Sequence, residues 1–338
     1  MIDQLYAAFA RRRRERYAAR PDLRLRLRRP VISVGNLAVG GRGKTPLVEC
    51  IARLLLEMGE RPAILSRGYG RRVREPGVVV VRDPRGIRAD LDRAGDEPLM
   101  LARRLDGVSI LVSSNRYLAG RLAEHHLGAT VHVLDDGFQH LQVDRDVDIV
   151  IVKGEDLDPD RPTLPTGRLR EPPDVVIAAD AILAADDRVH WSGEFPAVFR
   201  TRRHLQPPRN EAGELLPRKA IAFAGIADPQ AFFDDLRAAG WPVEATVAFR
   251  DHHRFSRQDV AGLMARARSS GAGALVTTEK DYVRLLPFRP FELPVAWVPL
   301  TMEPDPLAAF RDWLGAQLRA ARDQVPEAAA IPGTSQRS

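Results

Sequence analysis

From residue 30 onward, short apolar runs alternate with longer stretches whose apolar positions recur every three or four residues. Residues 31–34 read as a buried strand, and 46–58 as a helix with apolar side chains at 47, 48, 51, 54, 55 and 58. Strands follow at 63–65 and 78–81, then a polar, glycine-bearing loop around 83–95. A helix at 97–105, a strand at 108–112, a helix at 116–126 and a strand at 131–134 come next; strands at 147–152 and 175–178 close this half. Residues 153–173 are rich in Pro, Gly and charge without clear periodicity, and a loop of that length in a compact domain is usually functional or mobile. The pattern weakens around 183–215 and then resumes with strands at 220–224, 243–249 and 274–278 and helices at 229–239 and 256–269. A last amphipathic helix covers 304–321, and the Pro/Ala/Ser-rich segment after Gln324 reads as disordered. Strand–helix alternation of this kind predicts mostly parallel sheets covered by helices.

Composition narrows the class. Of the 338 residues 44% are hydrophobic and 28% charged, an ordinary globular mixture. No run approaches the roughly 18 consecutive apolar residues of a spanning helix, and the apolar stretch 5–10 precedes the basic run instead of following it, so no cleavable signal is expected. The single cysteine, Cys50, lies in a predicted helix and reads as a small core residue, which leaves no disulfide framework or zinc cluster and suits a reducing compartment. Charge is informative by location. Residues 1–30 hold ten arginines and three acids, a net of +7, whereas the whole chain is +6, so the remainder sums to −1. Such an end seeks an anionic membrane surface or nucleic acid. Apolar residues at 5–9 followed by Arg11–Arg14 favour a short interfacial helix, and nucleic acid is not expected as a partner. A solubilising tail is the competing reading.

Chemistry enters between the first strand and the first helix. Ala38-Val39-Gly40-Gly41-Arg42-Gly43-Lys44-Thr45 has the Walker A arrangement, with Ala38 where the first glycine usually stands. Small residues let successive backbone N–H groups wrap phosphates. Lys44 then reaches the β- and γ-phosphates, the Thr45 hydroxyl ligates Mg²⁺, and the helix points its N-terminus at the anion. Residues 131–134 running into Asp135 and Asp136 supply a Walker B pattern whose carboxylates serve the metal. The expected fold class is therefore α/β: a P-loop NTPase-like, mostly parallel sheet domain plus a smaller second α/β domain. The expected limits are 1–29 for a basic membrane-surface segment, 30–195 for the P-loop domain, 196–303 for the second domain, 304–322 for the C-terminal helix and 323–338 for a disordered tail.

Several blocks together resemble the tetraacyldisaccharide 4′-kinase family. They are Pro30–Leu37 running into the P-loop, Ser66-Arg67-Gly68-Tyr69-Gly70, Gly95-Asp96-Glu97-Pro98, Asp135-Asp136-Gly137-Phe138-Gln139-His140 with Arg145-Asp146, and Leu164–Pro172. Phe223-Ala224-Gly225-Ile226, Asp251-His252 and Thr277-Thr278-Glu279-Lys280-Asp281 continue the match, which spans about residues 30–300 in order. The resemblance implies ATP- and Mg²⁺-dependent transfer to the 4′-hydroxyl of an acylated glucosamine disaccharide 1-phosphate, at the cytoplasmic face of a bacterial inner membrane. It implies two α/β/α domains with the active site in the cleft between them, and an N-terminal membrane anchor. This chain departs there, with a short and strongly basic segment.

The resemblance also assigns roles. Asp96 is the group that accepts the hydroxyl proton, and His252, taken over the adjacent His253 because it follows Asp251, orients it. Read without the family, Asp96-Glu97 is a pair of acids at a helix N-terminus. Arg116, opening the helix after the 108–112 strand, is a candidate for γ-phosphate stabilisation, and Glu171 for Mg²⁺ placement. His140 is expected to order the Walker B loop, and Arg67, Tyr69 and Arg71 to meet the anionic glycolipid head. The chain is expected to act as a monomer. A nucleotide-dependent ligase of the dethiobiotin synthetase kind would share the phosphate loop, and a GTP-driven switch or metallochaperone is the other class. Against the switch, Thr278-Glu279-Lys280-Asp281 sets Lys directly against Asp, whereas guanine readers place one residue between them.

Overall fold

A computed structural model describes residues 2–323 apart from Arg42, Arg74, 192–195, 214–216 and Arg218. Helix α1 (Ile2–Ala19) precedes β1 (Val31–Asn36), α2 (Lys44–Glu57), β2 (Pro62–Ser66), β3 (Val79–Asp83), β4 (Gly86–Ile87), α3 (Leu91–Ala94) and α4 (Asp96–Arg104). Then come β5 (Ser109–Val112), α5 (Arg116–His126), β6 (Val131–Asp135), β7 (Val147–Val152), β8 (Ala181–Ala184) and β9 (Ala197–Leu205). The chain continues through β10 (Ala220–Ala224), α6 (Pro229–Ala238), β11 (Val243–Ala248), α7 (Arg257–Ser269), β12 (Ala274–Thr278), α8 (Glu279–Leu285), β13 (Val295–Val298), β14 (Leu300–Asp305) and α9 (Leu307–Asp323).

Ten strands form one sheet in the order β14-β9-β8-β7-β1-β6-β2-β5-β3-β4. The seven from β9 to β5 run parallel, and β14 on one side and β3–β4 on the other are antiparallel edges. Period-2 alternation sends Ile32, Val34, Ile64 and Val133 toward α2, α4 and α9, while Val31, Ala63, Leu65 and Leu134 pack with Ala119 and Ala123 of α5. Four parallel strands, β11-β10-β12-β13, make the second sheet, with α6 on one face and α7 on the other. Helix α8 belongs to both cores. Val283 joins the large cluster, and Tyr282 and Leu285 join the small one.

The alternating class expected from the sequence is present: a large, mostly parallel sheet and a smaller α/β unit. Three details differ. The strand expected at 175–178 is a 3-10 segment, Pro173–Ala178, opened by prolines whose fixed φ favours a turn; the strand is β8, three residues on. The last helix begins at Leu307, because 300–305 is an edge strand, where Pro304 costs no interior ladder bond. Finally, β9 and β14, which fall on the second-domain side of the expected limits at 195/196 and 303/304 or astride them, hydrogen-bond within the ten-stranded sheet. Residues 192–195 and the tail from Gln324 lie outside the described residues.

Candidate active site

The phosphate loop leaves β1 at Asn36 and enters α2 at Lys44. Gly40 at φ 110° and Gly43 at φ 84° take backbone conformations that side chains resist, and a Cβ on Gly43 would meet Met302 of β14 at 2.3 Å. The long loop expected to carry function lies along this turn. Val39 N–H donates to Arg168 O at 2.8 Å, Arg170 N–H to Leu37 O at 2.6 Å, and Ala38 pairs with Leu169. Lys44 Nζ donates to Asn36 Oδ1 at 3.1 Å and lies 3.4 Å from Asp136 Oδ1. Thr45 opens the helix half-buried beside it, and Val39, Gly40 and Gly41 complete the turn. Arg42 lies outside the described residues.

The two Walker B carboxylates differ sharply. Asp136, at a left-handed φ of 56°, is held by Lys44 and by Arg170 Nη1 at 2.6 Å; burial works against its charge, but these cations win and keep it below the usual carboxylate range. Asp135 is buried, accepts from Ser66 Oγ at 3.1 Å, and is pushed well up by burial and by the charges of Glu97 and Asp136. A buried carboxylate with so little compensation invites a cation. Among the described residues no three His, Cys, Asp or Glu side chains gather as a complete metal cage. A hydroxyl and one or two carboxylates match instead the way Mg²⁺ is held together with substrate phosphates. Glu171 does not face this pair openly: Arg14 donates to both its oxygens, through Nε at 3.2 Å and Nη2 at 2.8 Å, and Gln139 Nε2 donates to Oε2 at 3.1 Å.

Asp96 opens α4 behind Gly95, whose φ of 85° allows its backbone to approach Tyr69 O. Its carboxylate is 6% exposed. Oδ1 accepts from the Glu97 N–H at 3.0 Å, while Arg284 donates to Oδ2 through Nε at 3.0 Å and through Nη2. His252 Nδ1 lies 3.5 Å from Oδ2 and Lys280 Nζ 3.9 Å. Burial alone would raise this acid, but His252, Lys280 and Arg284 together hold it far below the usual carboxylate range. The backbone of His252 sits at a left-handed φ of 56°, with Tyr69 edge-on to its ring at 5.2 Å. Its neighbour His253 turns to Asp259 at 3.2 Å and stacks on Phe249, so of the two histidines it is His252 that reaches Asp96.

Arg116 heads α5 at 5% exposure, with Nη1 donating to Ser114 O at 3.4 Å and, among the described residues, no ion-paired carboxylate. Burial and neighbouring Arg67 lower it to about 10, which still leaves it cationic at neutral pH. His140 is pushed down to about 3 by burial and by Arg116, Arg145, Arg13 and Arg67, and so stays neutral. Its N–H donates to Gly137 O and its carbonyl accepts from Arg145, an ordering role in the loop. Tyr69 is 70% exposed and Arg67 is exposed at the mouth of the site.

Sequence reasoning passed over Arg284, Lys280 and Arg170. Arg284 stands one helical turn after Asp281, to which it donates at 2.8 Å, just beyond the end of the Thr277–Asp281 block. Arg170 lay in view between Leu169 and Glu171.

Comparison with known proteins bears on this arrangement. The family model described as tetraacyldisaccharide-1-P 4′-kinase matches residues 1–319. Tetraacyldisaccharide 4′-kinase of Geobacter metallireducens is 42% identical over 295 residues, covering 83% of this chain and 86% of the relative. That of Geobacter sulfurreducens is 39% identical over 345 residues, covering 95% and 91%. The crystal structure of LpxK from Aquifex aeolicus in complex with ATP superposes with a TM-score of 0.78 at 30% identity, over 94% of this chain and 97% of that one.

Proposed function

The chain belongs to the tetraacyldisaccharide-1-P 4′-kinase family and carries its kinase function in lipid A biosynthesis, and from that premise we propose how its residues divide the reaction. The γ-phosphate of ATP passes to the 4′-hydroxyl of an acylated glucosamine disaccharide 1-phosphate. Asp96 accepts the hydroxyl proton, Lys44 and the P-loop amides hold the β- and γ-phosphates, and Arg116 meets the charge that develops on the transferred group. The supporting observation is that Asp96, ionised and buried, shares the C-terminal edge of the parallel sheet with the phosphate loop; ligands of open α/β sheets bind at that edge.

An acid held this far down is a weak base. A loose phosphoryl-transfer transition state asks for little basicity and much positioning, so a permanently ionised acceptor suits the step. His252 fixes the carboxylate and passes the proton outward. Thr45 and Asp135 would hold Mg²⁺, with Asp136 positioning Lys44 and Arg170; the ion supplies charge neutralisation on the phosphate oxygens. Glu171 supports the loop.

No helix among the described residues is long and apolar enough to cross a membrane. Ile2, Leu5 and Phe9 of α1 are nevertheless 59%, 69% and 68% exposed, beside Arg12 and Arg16 on the same face. That face supports seating of α1 on the anionic cytoplasmic surface of the inner membrane, by a monomer, with the acyl chains of the substrate left in the bilayer.

The test is transfer of labelled γ-phosphate to purified lipid A disaccharide 1-phosphate in detergent micelles. Asp96→Ala is expected to lower kcat by about 10²–10⁴-fold, the span of a positioned proton acceptor, and Lys44→Ala to abolish ATP saturation in the accessible range. Wild-type rates in Asp96→Ala would remove Asp96 from the proton path.

A further inference from the structure

Helix α1 has two faces. Asp3, Ala7, Ala10, Arg14 and Tyr17, spaced by three and four, are half-buried against the large domain, whereas Ile2, Leu5, Phe9, Arg12 and Arg16 face outward. The inner face is pinned at several points. Thr163 Oγ1 donates to Asp3 O at 2.8 Å, Arg11 pairs with Asp174 at 3.1 Å, and Arg13 Nη1 donates to Gln139 O at 3.1 Å. Arg14 is the buried one. Its side chain is 14% exposed against 4% for its partner Glu171, its guanidinium lies 4.3 Å over the Phe138 ring, and Nη2 also reaches Phe138 O at 3.3 Å.

The partners of Arg14 continue inward without a break. Glu171 accepts from Gln139 Nε2 at 3.1 Å, the same amide donates to Asn36 O at 3.0 Å, and Asn36 Oδ1 accepts from Lys44 Nζ at 3.1 Å. One side chain of the surface helix is thereby joined to the phosphate-loop lysine through three residues, Glu171, Gln139 and Asn36. Phe138, clamped by Arg14 from outside, also presses on Gly35 in the strand that launches the phosphate loop.

We propose that Arg14 is a positioning residue that couples the seating of α1 to the geometry of the phosphate loop, so that engagement of a lipid surface by the outer face of α1 orders the site that phosphorylates a lipid. The coupling rests on the membrane-surface reading of α1 given above. A bidentate arginine fork suits the task because it fixes orientation as well as charge. Coupling is reciprocal: whatever surface binding contributes to ordering the 136–140 turn, an ordered turn returns to surface binding.

The experiment uses the full chain, with Arg266→Ala, an exposed arginine of α7, as a control that removes an equal charge away from α1. Arg14→Ala and Arg14→Lys are compared with it for kcat and KM in mixed micelles and for co-sedimentation with vesicles of phosphatidylglycerol and phosphatidylethanolamine. Hydrogen exchange over residues 137–141 is followed with and without vesicles. Arg14→Ala is expected to lower kcat by about 2- to 30-fold while still sedimenting with vesicles, with Lys restoring little. Vesicles are expected to slow exchange at 137–141 in wild type and leave it unchanged in Arg14→Ala. Kinetics indistinguishable from Arg266→Ala, or vesicle-induced protection that persists in Arg14→Ala, would overturn the coupling. Wild type that ignores vesicles would overturn the membrane reading by itself, and the positioning role of Arg14 would then be decided by the kinetic comparison alone. If Arg14→Ala does not fold, Arg14→Gln takes its place.

Discussion

Asp96 lies where three basic side chains from the small domain converge: Arg284 and Lys280 of α8 and His252 from the loop before α7. Burial disfavours its charge and the cations overrule burial, so the direction of its pKa depends on them. Arg284→Gln removes the closest. The Asp96 carboxyl then moves up, and if its ionised form is the proton acceptor, activity is lost at higher pH as the solution is acidified. The acid limb of kcat/KM in Arg284→Gln is therefore expected to lie above that of wild type; superimposable limbs would detach Asp96 from the pH profile. Lys44, Thr45, Asp135 and Asp136 could be singled out from the sequence because their pattern is local, packed into turns at strand ends. Arg284 was not, because it stands 188 residues from its partner and nothing in its neighbours announces the distance it closes. Cys50, by contrast, behaves as the sequence suggested: burial and nearby Glu303 raise its thiol to about 12, leaving an inert, packed side chain.

At the scale of elements, the part hardest to foresee was the return of the chain to the first sheet. β14 pairs with β9 in full register from Leu300↔Leu205 to Asp305↔Arg200, and α9 packs on β14 and adds Phe310, Leu314 and Leu318 to the large core. The β14 sequence, Leu-Thr-Met-Glu-Pro-Asp, has three polar residues and a proline in six, and the proline interrupts its alternation after four residues. The apolar Val175-Val176-Ile177 run misled in the other direction, since a short apolar run does not distinguish strand from turn without its flanks. The consequence is functional, because Met302 of β14 forms the floor under Gly43 and its strand is held by α9. Phe310 is fully buried and T-shaped against Phe199 of β9 at 5.2 Å. Phe310→Ala is expected to cost about 3–5 kcal/mol of stability in urea unfolding and to raise KM for ATP by loosening that floor. A stability loss with unchanged KM would confine α9 to packing.

The two units of the molecule are joined by charge as well as by α8. Arg104 of α4 contacts both Glu49 of α2 and Glu279 of α8 and donates to Leu300 O, while Lys280 reaches Glu97 at 2.7 Å. Glu49 and Glu279 are 5% and 9% exposed, so they would be poor residents without the arginine. Even with it, burial leaves Glu279 above its ordinary value of 4.5. The folded form therefore holds this proton more firmly than the unfolded chain does, and stability is lost as pH rises through the folded-state value. Arg104→Met keeps the volume and removes the compensation. The Glu279 pKa must then climb further, because Glu279 loses its arginine while Glu49 keeps only the half-exposed Arg53. The variant is expected to be destabilised by about 3–5 kcal/mol at pH 7.5, the usual cost of breaking a buried pair by removing one partner. At pH 5 the uptake of a proton restores part of the loss, so the gap between unfolding midpoints at pH 5 and pH 7.5 should differ from that of wild type in favour of acid. An equal gap in both proteins would mean that the joint is held by α8 packing alone. A shift confined to the variant would identify Arg104 as the residue that lets a charged joint between the two units persist at neutral pH.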